Sequence, residues 1–356
     1  MQGTFKIIEM NKENTTAKKL SDLGEFGLIK HLTENINIKH ESTNKGVGDD
    51  AAVLDYKDKK TLVSTDMLIE GIHFDLMYTP LKHLGYKAIA SNVSDICAMN
   101  GTAKQITVSI AMDKRFALEM IDELYDGIHA ACEKYDVDLV GGDTTASLTG
   151  LCICITVIGE ANEKDITYRS TAKENDLVCV SGNLGAAYMG LQLLEREKKI
   201  FEDNPNVQPD LEGFDYIVGR QLKPEARQDI VTTLREKDIL PTSMIDISDG
   251  LASEIMHLCE DSDMGCAIYE DKIPVDYETH KMCEEFNFNS TVAALNGGED
   301  YELLFTVPLE KHEEITTIPD VKVIGHICNK DQGRNLVTRD DNHIPLKAQG
   351  WVNFTE

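Results

Sequence analysis

Five short acidic segments interrupt the hydrophobic pattern of this chain: Gly48-Asp49-Asp50, Ser64-Thr65-Asp66, Gly141-Gly142-Asp143, Asp246-Ile247-Ser248-Asp249-Gly250 and Gly297-Gly298-Glu299-Asp300. Each joins carboxylates to glycines or hydroxyls, the donor types that magnesium and the phosphates it carries require. One such segment would be a turn; five together point to a single assembled site.

The sharpest is Asp246 to Gly250. In a continuing strand Asp246 and Ser248 share a side, and Asp249 stands where a helix opens, so three oxygens can converge on one cation. It lacks the twelve-residue ligand spread of an EF-hand. Gly46-Val47-Gly48-Asp49-Asp50-Ala51 formally fits a dinucleotide fingerprint, but a pyrophosphate there would face two carboxylates. Unit charges about 4 Å apart repel by about 4 kcal/mol at an effective dielectric of 20, and an intervening metal reverses the sign. Ser64-Thr65-Asp66 follows Leu62-Val63, at an expected strand end, where hydroxyl and carboxylate suit a hard cation or a helix cap.

Gly141-Gly142-Asp143 is expected to close a strand over Asp138 to Val140, its glycines admitting a phosphate to backbone N–H groups. Asp95 shares a helix face with Ser91 and Asn92, a polar strip that is either solvated or, if buried, in need of partners. Gly297 to Asp300 suits a loop that presents a carboxylate to a cationic group, or a plain turn. His73 has no second histidine at metal spacing, which argues against zinc and leaves an ordinary histidine or a substrate contact. Arg169, Lys223 and Arg227 are the cations placed to reach a phosphate. No Walker A pattern, kinase H-R-D and D-F-G pair or G-x-S-x-G elbow occurs.

Positioning these groups falls to alternating strands and helices. A capping-box-like start at Asp22 and Glu25 opens a helix carrying Phe26, Ile29 and Leu32. Strands are expected at Ala52 to Leu54, Thr61 to Ser64, Ile106 to Met112, near Leu139, and at Leu151 to Gly159, with helices over Leu81 to Met99 and Phe116 to Tyr135. After the polar stretch Asp165 to Asp176 come the strand Leu177 to Ser181, the helix Leu184 to Arg196, an acidic loop Phe201 to Gly213 and the helix Glu225 to Glu236. Strand Ser243 to Ile247 leads into helix Leu251 to Cys259, and strands follow at Leu303 to Val307 and Val321 to Ile327. The expected division is an extension over 1–20, an N-terminal domain over 21–160 and a C-terminal domain over 161–356.

With 356 residues, 42% of them apolar, the chain can bury two cores, and no run of 18 apolar residues occurs. No signal-peptide pattern is present, and the nine cysteines, odd in number and without a C-x-x-C pair, read as reduced residues of a cytoplasmic protein. Cys152 and Cys154 alternate with Leu151, Ile153 and Ile155 in the manner of a half-buried strand. The net charge of -27 argues against nucleic acid or an anionic membrane as partner. Holding phosphate at that charge requires divalent cations between the carboxylates and the phosphate oxygens.

Taken together and in this order, the acidic segments resemble the thiamine-monophosphate kinase family, in the superfamily of aminoimidazole ribonucleotide synthetase and selenophosphate synthetase. Gly24-Glu25-Phe26-Gly27-Leu28-Ile29, Gly71-Ile72-His73-Phe74, Asn92-Val93-Ser94-Asp95, Glu299-Asp300-Tyr301-Glu302-Leu303 and Gly350-Trp351-Val352-Asn353-Phe354 carry the same resemblance. It implies a two-domain synthetase-like α/β (α+β) fold, with an N-terminal mixed sheet that dimerises and a C-terminal α/β sandwich. It implies a homodimer, with ATP bound across the domains and the dimer. By the same resemblance Asp50, Ser64, Thr65, Asp66, Asp95, Asp143, Asp246 and Asp249 would hold several Mg2+ ions. Asp50, Tyr125, Gly142, Asp143, Arg169 and Ser248 would meet ATP, and His73, Glu299 and Trp351 thiamine monophosphate.

The implied reaction is in-line transfer of the ATP γ-phosphoryl group to thiamine monophosphate, giving thiamine diphosphate. The acceptor oxygen is already ionised near neutral pH, so positioning and charge stabilisation suffice. Trp351 and Glu299 offer an aromatic face and a carboxylate to a cationic thiazolium. Two alternatives stand beside this reading: another ATP-dependent synthetase of the superfamily, and a non-catalytic metal-binding protein. Against two specific relatives, residues 1–45 hold no cysteine of the selenophosphate synthetase kind, and the C-terminus lacks the cysteine motif of hydrogenase-maturation proteins.

Overall fold

A computed structural model describes residues 31–45 and 53–349. The expected helix from Asp22 lies outside them except for its end at Leu32, as do Asp50, Trp351 and the strand residue Ala52. The chain folds into two compact units, one formed by Met1–Asn92, Ala103–Glu160 and Leu194–Leu211, the other by Val93–Thr102, Ala161–Leu193 and Glu212–Glu356. Both mix helices with a β-sheet, so the fold is α/β as the sequence implies.

In the first unit the strands β1 (Thr43–Lys45) and β2 (Val53–Leu54) form an antiparallel pair. A four-stranded sheet has the order β3-β6-β4-β5, made of β3 (Lys60–Ile69), β4 (Thr102–Met112), β5 (Asp138–Ala146) and β6 (Cys152–Ala161), with β4 and β5 parallel. Period-two alternation gives the sheet two unlike faces. Ile106, Val108 and Ile110 of β4 and Ile153, Ile155 and Val157 of β6 are buried, whereas Val63 and Met67 of β3 are 65% and 51% exposed. Cys152 and Cys154 are half-buried between buried neighbours, as expected.

Helices Leu81–Ala98 and Leu118–Tyr135 meet backbone to backbone at two glycines. A Cβ on Gly85 would stand 2.1 Å from the Leu124 carbonyl oxygen, and one on Gly127 would stand 1.9 Å from that of Lys82. Only residues without a side chain permit this crossing.

The second unit is built on a seven-stranded sheet of order β13-β12-β9-β11-β7-β10-β8. Its strands are β7 (Leu177–Ser181), β8 (Ser243–Asp246), β9 (Met264–Tyr269), β10 (Leu303–Val307), β11 (Val321–Asn329), β12 (Arg334–Val337) and β13 (His343–Pro345). All pairs are antiparallel except β12 with β9. The strands β7 and β10 are buried along their whole length, which explains why they read as unbroken apolar runs. Val178, Val180, Ile245, Leu304 and Ile327 pack with Leu251, Ile255 and Leu258 of helix Leu251–Asp261 into one core.

Helix Ala186–Asp203 continues beyond its expected end, and helix Asp215–Leu222 follows the acidic loop. These two cross at Gly190, whose added Cβ would stand 2.2 Å from the Ile217 carbonyl oxygen. Among the described residues, no helix is long and apolar enough to cross a membrane.

Candidate functional site

The second unit holds two of the five acidic motifs, Asp246 to Gly250 and Gly297 to Asp300. Asp246 ends β8, opposite Leu303 of β10, and is almost wholly buried. Its carboxylate accepts a hydrogen bond of 2.7 Å from the hydroxyl of Ser94, itself fully buried on helix Leu81–Ala98. Burial first and the nearby Asp95 second push the Asp246 pKa up to about 7, against the opposing effects of the Ser94 hydroxyl and Arg169. Two carboxylates, a hydroxyl and little opposing positive charge form a hard-oxygen donor set that fits a divalent cation. On this helix Ser91 and Asn92 are buried and partnered, Ser91 donating to the Ala88 carbonyl at 3.2 Å and Asn92 Nδ2 to the same oxygen at 2.9 Å, while Asp95 is half-buried.

Beyond Asp246 the chain turns through Gly250, at φ 109°, into the helix at Leu251. Glu254, a residue the sequence reading missed, is buried and accepts from the Asp249 backbone N–H at 3.0 Å and the Ser248 hydroxyl at 3.5 Å. It thus shapes the Ser248-Asp249 turn from within the helix. Burial raises the Asp249 pKa; His257 lowers it and Glu299 raises it.

The Gly297 to Asp300 motif lies directly against this turn. Glu299 N–H donates to the Ser248 carbonyl at 2.7 Å, Tyr301 N–H to that of Ile247 at 2.9 Å, and Ile247 N–H to that of Glu302 at 2.7 Å. Gly298, at φ 73°, is required there, because a Cβ would stand 2.6 Å from the Ser248 carbonyl oxygen. The two motifs are therefore one structural element.

Behind the loop, Asp300 is fully buried and accepts from the Gly185 N–H at 2.7 Å and the Ala187 N–H at 3.4 Å. Burial pushes its pKa up to about 6, against the pull of Arg220. Glu302 binds the Ser181 hydroxyl at 2.5 Å, Arg227 at 2.6 Å and Arg220 at 2.9 Å. This corrects one expectation: Arg227 is a buried partner of Glu302 and Asp229, not a cation reaching outward for phosphate. Lys223 lies 3.5 Å from Glu225. Arg169 has an exposed side chain, while its carbonyl accepts from the Ser243 and Ser262 hydroxyls at 2.7 and 3.0 Å.

In the first unit, Ser64-Thr65-Asp66 lies inside β3 rather than at its end, because the strand runs on to Ile69. Alternation puts the Thr65 side chain on the opposite face from Ser64 and Asp66. Its hydroxyl donates to the Ile155 carbonyl at 2.9 Å and lies 3.1 Å from that of Thr156. Asp66 N–H donates to Asn92 Oδ1 at 3.2 Å. Gly141-Gly142-Asp143 is likewise inside a strand, paired with β4 as far as Ala146. Gly142 has a packing reason of its own, since a Cβ would stand 2.0 Å from the Val108 carbonyl oxygen. Asp143 is exposed.

His73 accepts from the Ile69 N–H through Nδ1 at 3.1 Å, which assigns its ring proton to Nε2. Tyr125 is buried in helix Leu118–Tyr135 beside His129, and burial pushes its phenol up to about 12. Among the described residues, no three His, Cys, Asp or Glu side chains stand close enough to hold a metal ion. Asp50 and Trp351 are outside that set.

Against known proteins, the sequence pattern of the AIR synthase related protein, N-terminal domain, matches residues 48–161. The thiamine-monophosphate kinase of Bacillus subtilis (strain 168) is 34% identical over 340 residues, covering 93% of this chain and 100% of that protein. The solved structure of AaThiL complexed with AMPPCP and TMP superposes with a TM-score of 0.72 at 31% identity, over 96% of this chain and 100% of that one. The hydrogenase maturation protein HypE in complex with ATP superposes with a TM-score of 0.71 over 91% of this chain and 96% of that one; at 17% identity it shows a shared fold alone. With full-length relatives above 30% identity, the chain belongs to the thiamine-monophosphate kinase family.

Proposed function

We propose that this chain catalyses ATP-dependent phosphorylation of thiamine monophosphate to thiamine diphosphate, in thiamine diphosphate biosynthesis. The observation that carries the reading is the full-length likeness to AaThiL, which was solved with AMPPCP and TMP bound. The union of the Asp246 to Gly250 turn with the Glu299 loop in one element supports it, because a nucleotide-side motif and an acceptor-side motif must be held in fixed relation for in-line transfer.

We assign Asp95, Asp246 and Asp249 as magnesium donors in the second unit. In the first, Ser64, Asp66 and Asp143 are assigned the same role, as is Asp50 from the sequence. Divalent cations held there would offset the charge of the two phosphate-bearing substrates and of the carboxylates themselves. The Asp246 pKa, raised by burial and by Asp95, is the local sign of that unbalanced charge.

Ser248 and Arg169, with Gly142, Asp143, Asp50 and Tyr125, are assigned to the nucleotide. Ser248 is held by Glu254, so its hydroxyl has a fixed origin. Glu299, His73 and Trp351 are assigned to thiamine monophosphate, Glu299 facing the cationic thiazolium and His73 offering Nε2–H as a donor. No side chain is needed as a strong base, because the acceptor phosphate is already ionised.

We further assign a homodimer in which a second copy covers the open sheet face of Val63, Thr65, Met67, Cys154 and Thr156, an apolar strip unusual for solvent. The assigned setting is the cytoplasm, in keeping with nine unpaired thiols. The test is to incubate the purified chain with ATP, magnesium and thiamine monophosphate, and to follow thiamine diphosphate by chromatography beside a metal-free control. Magnesium-dependent product is expected; ATP binding without product would keep the fold and remove the acceptor assignment.

A further inference from the structure

Glu299 is fixed by a residue outside every acidic motif. Gln221, near the end of helix Asp215–Leu222 and buried, donates from Nε2 to Glu299 Oε2 at 2.8 Å. Glu299 sits at φ 57° and Tyr301 at φ 52°, left-handed conformations that side chains other than glycine rarely adopt, so contacts around the loop must hold its shape. Helix Asp215–Leu222 supplies them from two consecutive residues. Arg220 donates to the carbonyls of Asn183 at 3.3 Å and Asp300 at 3.1 Å and pairs with Glu302, gripping the loop's backbone and its buried end. Gln221, next in sequence, reaches the one carboxylate of the loop that is not buried.

The helix is itself held in place by the close crossing at Gly190. The chemistry of the donor matters as much as its position. A side-chain amide fixes the rotamer of a carboxylate without cancelling its charge, whereas a lysine or arginine at that distance would neutralise it. A carboxylate meant to meet a cationic ring needs orientation and a full negative charge together, and a neutral donor supplies both.

We propose that Gln221 is a positioning residue that aims Glu299 at the cationic ring of the acceptor substrate, setting affinity for that substrate and not for ATP. The inference rests on the assignment of Glu299 to the thiazolium made above. It is tested by steady-state kinetics on the full chain with four variants: Gln221→Met, Gln221→Lys, Glu299→Gln, and Gln221→Met combined with Glu299→Gln. Gln221→Met keeps the volume and removes the donor. It is expected to raise KM for thiamine monophosphate about tenfold, the scale of a hydrogen bond to a charged group, with kcat and KM for ATP within about twofold. Gln221→Lys keeps a donor but neutralises Glu299, and is expected to raise the same KM by a similar factor.

The double variant is expected to be no worse than Glu299→Gln alone, since Gln221 acts only through that carboxylate. Unchanged KM in Gln221→Met beside a raised KM in Glu299→Gln would overturn the role of Gln221 and leave that of Glu299. Unchanged KM in both would overturn the assignment of Glu299 and this inference with it. A fall in kcat with a rise in both KM values and a lowered Tm in both Gln221 variants would mark a structural role and overturn it too.

Discussion

Ser94 and Asp246, far apart in sequence, meet in a buried 2.7 Å hydrogen bond in which the serine hydroxyl is the donor. The bond offsets only part of the cost of enclosing a carboxylate beside Asp95, and the Asp246 pKa rises from 3.8 to about 7. A carboxyl raised in the folded state binds more protons folded than unfolded between those two values. Its contribution to stability is therefore greatest below about pH 4 and is lost as pH rises towards about 7, by up to about 4 kcal/mol. Asp246→Asn, whose amide oxygen still accepts from Ser94, should flatten this dependence. Urea unfolding of the EDTA-treated protein at pH 5 and pH 7.5, wild type against variant, measures it. A wild type with the same pH slope as the variant would contradict the assignment of strain to Asp246.

Asp249 separates chemistry from folding. Its backbone N–H is bound by Glu254, while its side chain is half-buried and feels Glu299 and His257. Asp249→Asn keeps the backbone bond and the side-chain volume and removes the charge. Phosphoryl transfer should fall by about 100-fold or more, with a Tm within a few degrees of wild type. Near-normal turnover would remove Asp249 from the magnesium donors.

Glu302 carries the opposite expectation. It is buried against two arginines and a serine hydroxyl, and removing its charge leaves Arg220 and Arg227 short of a partner. Breaking one side of a buried charge network costs about 3–5 kcal/mol. Glu302→Gln should therefore lower the midpoint of chemical denaturation steeply. A loss under about 1 kcal/mol would mean that Asp229 and Asp320 already compensate Arg227.

The sequence is most legible where one physical cause dominates. β7 and β10 read correctly as apolar runs because both their faces are buried. Helix Leu251–Asp261 has an apolar period and a glycine before it, and its start was legible to the residue. Ser64-Thr65-Asp66 and Gly141-Gly142-Asp143 were read as strand ends because polar and glycine residues break the apolar pattern. Each instead continues a strand, one with an open face and one whose glycine is required by the carbonyl of Val108. Helix Asp215–Leu222 was missed since its polar residues, Arg220 and Gln221, serve long-range partners that no local pattern shows. Glu254 escaped for the same reason: a glutamate in a helix reads as solvated until the turn that it binds is in view.

The open face of the first sheet leads to a prediction about assembly. Val63, Met67 and Ile69 project from one side of β3 and remain exposed, and Thr65 on the same side reaches across to Ile155 and Thr156 of β6. A surface of that kind is costly in water, at about 25 cal/mol for each Å² left uncovered, and a second copy presenting the same face would cover it symmetrically. Met67→Glu places a charge in the middle of that strip without touching the buried side of the sheet. Size-exclusion chromatography with light scattering should find a dimer for wild type and a monomer for the variant, with a far-UV spectrum unchanged. A wild type that elutes as a monomer would remove the second copy from this face. A variant that stays dimeric would place the contact on another surface.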